Sequence, residues 1–147
     1  MKYKTEIDIE LPLDGVIALF DDQNNLYKWQ PELVNLEHLS GTAGEVGAKM
    51  KMIYKTGKGN RTFEMLETIT HKELPSNYSF IFETKGVTNY LRNEFIPITE
   101  TQTKWIVHNE FKFSGFMAFM ALFMKGTFKK HSYKFLVRFK EFAEREG

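Results

Sequence analysis

The strongest constraint on this 147-residue chain is a change of periodicity at Ser114-Gly115. Before that point apolar residues recur at every second position. After it they recur at every third and fourth. A strand sends alternate side chains to opposite faces, whereas a helix returns to one face about every 3.6 residues. The chain is therefore expected to be a series of strands followed by one long helix. The clearest strand runs from Lys104 to Phe113, with Trp105, Val107, Asn109, Phe111 and Phe113 on one side and Lys104, Ile106, His108, Glu110 and Lys112 on the other. The helical stripe is Met117, Met120, Ala121, Met124, Phe128, Phe135, Phe139 and Phe142, with Lys129, Lys130, Lys134, Arg138 and Lys140 beside or opposite it. Gly126 is where this helix would bend or weaken.

The rest of the chain fits that scheme. Tyr3, Thr5, Ile7, Ile9 and Leu11 alternate with charged residues, and Pro12 ends the strand. Two short helices follow, over Asp14–Phe20 and around Leu26–Trp29. Strands are then expected over Leu33–Leu39, Lys49–Lys55 and Thr62–Thr70, from Tyr78 through Phe80 and Phe82 to an end at Lys85-Gly86, and over Thr88–Ile96. The glycines Gly41, Gly44 and Gly47, the segment Thr56–Asn60 and the tripeptide Pro75-Ser76-Asn77 mark turns. This spacing is that of an antiparallel meander. Its apolar face needs a cover, and only the last helix is long enough to supply one.

Composition narrows the function. With 14 Phe, the chain must either fill a core or line a cavity. The net charge of +1 points to no nucleic-acid partner. The charge is uneven: residues 1–40 carry eight acids and three bases, and residues 125–147 carry seven bases and three acids. Attraction between the two ends is the plain explanation, and a basic face for anionic membranes or ligands is the alternative. The absence of Cys excludes disulfides, thiolate catalysis and Cys-ligated metals. No His pair has metal-ligand spacing, so no metal and no cofactor are expected. Gly57-Lys58-Gly59 lacks the Walker pattern and reads as a turn. Nothing at the N-terminus resembles a signal peptide, and the longest apolar run, Gly115–Met124, is too short to span a bilayer. The expected location is cytoplasmic.

A curved sheet gripping one helix leaves a cavity between them. The expected lining is Met50, Met52, Tyr54, Met65, Glu67, Tyr78, Phe80, Phe82, Asn93, Trp105, Asn109, Met120, Met124, Phe128, His131 and Phe135. Adaptable Met, many Phe and a few polar groups suit a pocket for a small apolar ligand. The same residues at the same spacings also suit an ordinary core. Glu67 shares a face with Phe63, Met65 and Ile69, where a carboxyl would have a raised pKa and could serve as general acid or base. A strand-end exposure or a structural hydrogen bond would explain it equally well. Asn93 and Asn109 could orient a ligand or satisfy backbone groups.

The order of marks resembles the START-like (SRPBCC) superfamily, and within it the polyketide cyclase/dehydrase-like proteins. The marks are Ile9-x-Leu11-Pro12-x-x-x-Val16, Phe20-Asp21, Trp29-x-Pro31, Gly41-x-x-Gly44-x-x-Gly47, Glu67-Thr68-Ile69 leading to Pro75, Thr103-Lys104-Trp105, and the final helix ending Phe139-Lys140-Glu141-Phe142-Ala143-Glu144. The likeness runs over nearly the whole chain, which is then one START-like domain, residues 1–147. It implies an α+β helix-grip fold with a deep apolar cavity, whose members bind lipids, polyketides and hormones and are in some cases enzymes. Three function classes follow: a binding module for a small apolar ligand, a cofactor-free cyclase or dehydratase using Glu67, and a protein–protein module.

One feature lies outside that scheme. Phe116, Phe119 and Phe123 fall away from the main stripe, so the first turns of the helix are apolar nearly all round. In order of preference, this segment packs under loops at the cavity mouth, forms a homodimer contact, or docks on a membrane with Lys125, Lys129 and Lys130 beside it.

Overall fold

A computed structural model describes every residue except Lys58, on which part of the expected Thr56–Asn60 turn falls, and the side chain of Lys125. Strand β1 (Lys2–Ile9) is followed by α1 (Leu13–Asp21), a short turn of 3-10 helix, and α2 (Leu26–Trp29). Six strands come next: β2 (Leu33–Ser40), β3 (Lys49–Lys55), β4 (Thr62–Glu73), β5 (Asn77–Thr84), β6 (Val87–Thr99) and β7 (Gln102–Phe113). Two helices close the chain, α3 (Phe116–Ala121) and α4 (Lys125–Glu146).

The strands form one antiparallel sheet in the order β1-β7-β6-β5-β4-β3-β2. Every strand from β2 to β7 pairs with its sequence neighbour, as tight turns between alternating strands require. The first strand crosses to the far edge and pairs with β7, Tyr3 opposite Asn109 and Ile9 opposite Thr103. Helices α1 and α2 make that crossing, so they close one end of the curved sheet. Helix α4 grips the sheet from inside and lies closest to β1. The Tyr3 hydroxyl donates to the Phe128 carbonyl at 3.1 Å and bonds the Ser132 hydroxyl. The Arg138 guanidinium meets the Glu32 carboxylate through two contacts of 2.9 Å. The basic helix is thus bound to the acidic first third of the chain.

The expected single helix from Met117 onward is two. The chain leaves helical geometry at Met124, whose φ and ψ are −122° and 14°. Gly126 lies inside α4. Two attachments pull the segments apart. Met117 packs on Gly86, where an added Cβ would lie 2.8 Å from the Met117 Cγ. Tyr3 meanwhile fixes the start of α4 to β1.

The packed core sits at the end closed by α1 and α2. Ile9, Val16, Trp29, Phe95, Trp105, Val107, Leu136, Phe139, Phe142 and Ala143 form one buried cluster. Phe139 makes edge contacts with Phe20, Trp29 and Trp105 at centroid distances of 5.5, 5.3 and 5.2 Å. Two smaller clusters lie along the sheet, around Met50, Met52 and Tyr54, and around Ile69, Tyr78 and Phe80.

Candidate functional site

The pairing register builds the inner face of the sheet row by row. One row crosses β3 to β7 as Met50, Glu67, Phe82, Asn89 and Phe111. The next crosses β4 to β1 as Ile69, Phe80, Leu91, Asn109 and Tyr3. Tyr78, Phe80 and Phe82 stack along β5, with centroids 4.6 and 5.6 Å apart, and form an aromatic floor. Adjacent strands are about 4.8 Å apart, so Glu67 and Asn89 stand about 10 Å apart across that floor.

Glu67 is 7 % exposed, flanked by Met50 and Phe82 across the sheet and Met65 along its own strand. Burial pushes its carboxyl up to about 7, since among the described residues no hydrogen bond or ion pair offsets the lost water. Its field reaches two phenols. Burial raises the Tyr54 hydroxyl first, with further contributions from Glu67 and Glu32. Burial likewise raises Tyr78 first, followed by Asp21 and Glu67. The Tyr54 hydroxyl donates to the Gln30 side chain at 2.6 Å.

A second polar group lies on β1, β6 and β7. The Asn89 amide donates to the Asn109 side-chain oxygen at 3.2 Å. The Asn109 amide nitrogen and the Thr5 hydroxyl are enclosed and have no partner among the described residues. Thr5 lies diagonally across from Asn109 in the β1–β7 register.

The expected residues divide into those on this face and those elsewhere. Met50, Met52, Tyr54, Met65, Glu67, Tyr78, Phe80, Phe82 and Asn109 share it. Asn93 and Trp105 are used structurally. The Trp105 indole donates to the Asn93 oxygen at 3.0 Å, and the Asn93 amide donates to the Tyr78 carbonyl at 3.0 Å. Trp105 is buried within the closed-end cluster and Asn93 beside it, and their polar atoms are taken. Phe128 packs on Phe111 and Phe113 at 5.2 and 5.3 Å, opposite the sheet. Phe135 is half-buried between Trp29 and His131. His131 is open to solvent on one side at the helix edge while its ring packs on Phe135, and this partial burial, then Arg138 and Lys134, lowers its pKa. Met120 and Met124 are half-buried on α3 and the connector after it.

Met65, Phe82, Leu91, Phe111, Phe113, Phe128 and Phe135 point toward the space between sheet and helix yet are only half-buried. The cause is the placement of α4, which follows β1 and stands off the middle strands. The sequence reading passed over Asn89, Thr5 and Gln30. Asn89 had a signal, because it shares the period-two face of Leu91 and Asn93. Among the described residues, no group of His, Asp and Glu is arranged to hold a metal ion, and no helix is long and apolar enough to cross a membrane.

A seven-stranded antiparallel sheet gripping a C-terminal helix, with two short helices after the first strand, is the helix-grip fold of START-like proteins. Solved structures bear this out over nearly the full length. A conserved protein from Geobacillus kaustophilus superposes with a TM-score of 0.80 at 19% identity, covering 99% of this chain and 96% of that one. The Zhui aromatase/cyclase from Streptomyces gives 0.76 at 11% identity, over 99% and 94%. Norcoclaurine synthase from Thalictrum flavum, in complex with dopamine and hydroxybenzaldehyde, gives 0.74 at 11% identity, over 100% and 88%. No protein-family model matches the sequence, and no curated protein matches it.

Proposed function

We propose that this chain is a cytoplasmic binding protein for a small apolar ligand held between the inner face of the sheet and α4. The observation that carries this reading is Glu67, a buried residue flanked by Met50, Met65 and Phe82 whose carboxyl has no partner among the described residues. An unpaired buried acid costs stability, and such groups concentrate where a ligand or a reaction uses them. The half-buried aromatic residues around it supply apolar contact. The same fold holds dopamine and hydroxybenzaldehyde in norcoclaurine synthase, which makes a small aromatic molecule a reasonable class of ligand. With a net charge of +1, nucleic acid is not a partner in this reading.

A second reading is favoured by one value. A carboxyl near 7 holds or gives up a proton at neutral pH, which suits a cofactor-free cyclase or dehydratase with Glu67 as general acid or base. Native mass spectrometry of the chain as purified from cells, with extraction of whatever is retained, tests the binding reading. A retained apolar molecule supports it and names the class of ligand. An empty chain that also fails to bind naphthalene-sized probes overturns it. Glu67→Gln then separates the two readings. Ligand affinity and turnover both unchanged by the substitution would end the enzymatic one.

A further inference from the structure

Residues 116–124 contain no charged side chain, yet four of their large apolar side chains are open to solvent. Phe116 is 73 % exposed, Phe119 55 %, Leu122 67 % and Phe123 73 %. The three rings form a chain, with centroids 6.4 and 5.4 Å apart. The opposite side of the segment is occupied, since Met117 packs on Gly86 and Ala121 is buried. The segment is thus anchored on one side and presents a contiguous apolar surface on the other.

A basic cleft adjoins it. About 780 Å³ of open space lies between β1 and the first turns of α4, lined by Lys2, Lys4, Lys129 and Lys130 with Tyr3, Tyr133 and one acid, Glu6. Lys2 and Lys4 meet Glu110 and Glu6 at 3.2 and 3.6 Å. Lys129 and Lys130 are exposed and make no ion pair among the described residues. Gly126, on the same cleft, is three residues past Phe123.

We propose that α3 and its connector dock on an anionic lipid bilayer. The phenylalanines enter the boundary between headgroups and acyl chains, and the lysine-lined cleft receives lipid phosphate. A bilayer supplies an apolar medium and a dense negative layer side by side, which is the arrangement this surface matches. A second copy matches it less well. A two-fold contact through the phenylalanines would bring the same lysines of both copies together. This surface is separate from the inner face of the sheet, so the inference stands whatever occupies the interior.

Co-sedimentation of the full chain with vesicles tests it. Binding is expected to phosphatidylcholine vesicles containing phosphatidylserine, to weaken with added salt, and to be slight with phosphatidylcholine alone. The pair Lys129→Gln and Lys130→Gln should weaken partition about twenty-five-fold, or about fivefold for each lysine. The triple change Phe116→Ser, Phe119→Ser and Phe123→Ser should abolish it with circular dichroism unchanged. If the triple variant loses its native spectrum, the lysine pair decides alone. No binding of the unaltered chain at low salt overturns the proposal, as does full binding by either variant. A dimer in light scattering that the triple variant splits, with no vesicle binding, assigns the patch to a second copy instead.

Discussion

The two ends of the grip use the same kinds of residue for opposite ends. At the end closed by α1 and α2, Phe95, Phe139 and Phe142 are almost wholly buried, and Asn93 spends both its donor and its acceptor on Trp105 and Tyr78. At the other end Phe82, Phe111, Phe113 and Phe128 are half-buried. There the Asn109 amide nitrogen and the Glu67 carboxyl have no partner among the described residues. The difference comes from what covers each stretch of sheet. Three helices converge on the closed end, whereas the open one is covered by the start of α4, with α3 packed at its rim against Gly86 and β7. Stability is therefore concentrated at one end, and the polar groups that remain available are at the other.

The largest test of that division is a matched pair of truncations. Phe139→Ala removes a ring that touches Phe20, Trp29, Trp105 and Phe142, and should cost about 3–5 kcal/mol in denaturant unfolding. Phe128→Ala removes a half-buried ring and should cost about 1–2 kcal/mol. Equal losses would mean that the open end is packed as tightly as the closed one.

Glu67 comes next, and its effect depends on pH. Its folded pKa, about 7, is raised above the ordinary 4.5, so between these values the folded chain binds more protons than the unfolded one. Stability therefore falls as pH rises from 4.5 toward 7 and levels off above 7. The shift corresponds to about 3 kcal/mol. Glu67→Gln keeps the shape and removes the titration. The variant should gain stability over the parent across that window, by about 3 kcal/mol at pH 8. Unfolding curves for both proteins at several pH values check this. Parallel pH profiles would mean that the carboxyl has a partner after all.

The two asparagines give a smaller contrast. Asn93→Leu leaves the Trp105 indole N–H and the Tyr78 carbonyl unpaired in the core, at a cost of about 2 kcal/mol. Asn109→Leu gives up one bond from Asn89 but also removes a donor with no partner, and should change stability by less than about 1 kcal/mol. If Asn109→Leu were the costlier change, the unpartnered amide would have a structural role that its surroundings do not reveal.

The sequence alone carried much of this frame, for identifiable reasons. Period two located the strand faces, so Met50, Met52, Tyr54, Glu67 and Ile69 were placed inward correctly. The strand order required only turn spacing. Which asparagine would be engaged was not legible. Asn93 and Asn109 occupy equivalent positions in their alternating strands, and only the register with Trp105 and Tyr78 separates them. The helix break was hidden for a similar reason. The stripe from Met117 to Phe142 is continuous in sequence, but Gly86 and Tyr3 attach its two parts to different strands. Long-range contacts of this kind leave no local period.

The smallest test addresses that break. Gly126 lies within α4, one residue after its first, and an added Cβ there would meet nothing within 4 Å. Its φ is not in the left-handed range, so alanine fits without strain. Gly126→Ala should stabilise the chain by about 0.5–1 kcal/mol, by raising helix propensity and restricting the unfolded chain. The gain should appear in chemical unfolding as a higher midpoint with an unchanged slope. Hydrogen exchange would slow at the start of α4 and not in the closed-end cluster, because only the first region gains. If the change also joined α3 to α4, circular dichroism would show added helix, and Gly126 would then be what holds the two helices apart. A gain in stability with no added helix leaves that role to the two attachments, Met117 on Gly86 and Tyr3 on Phe128.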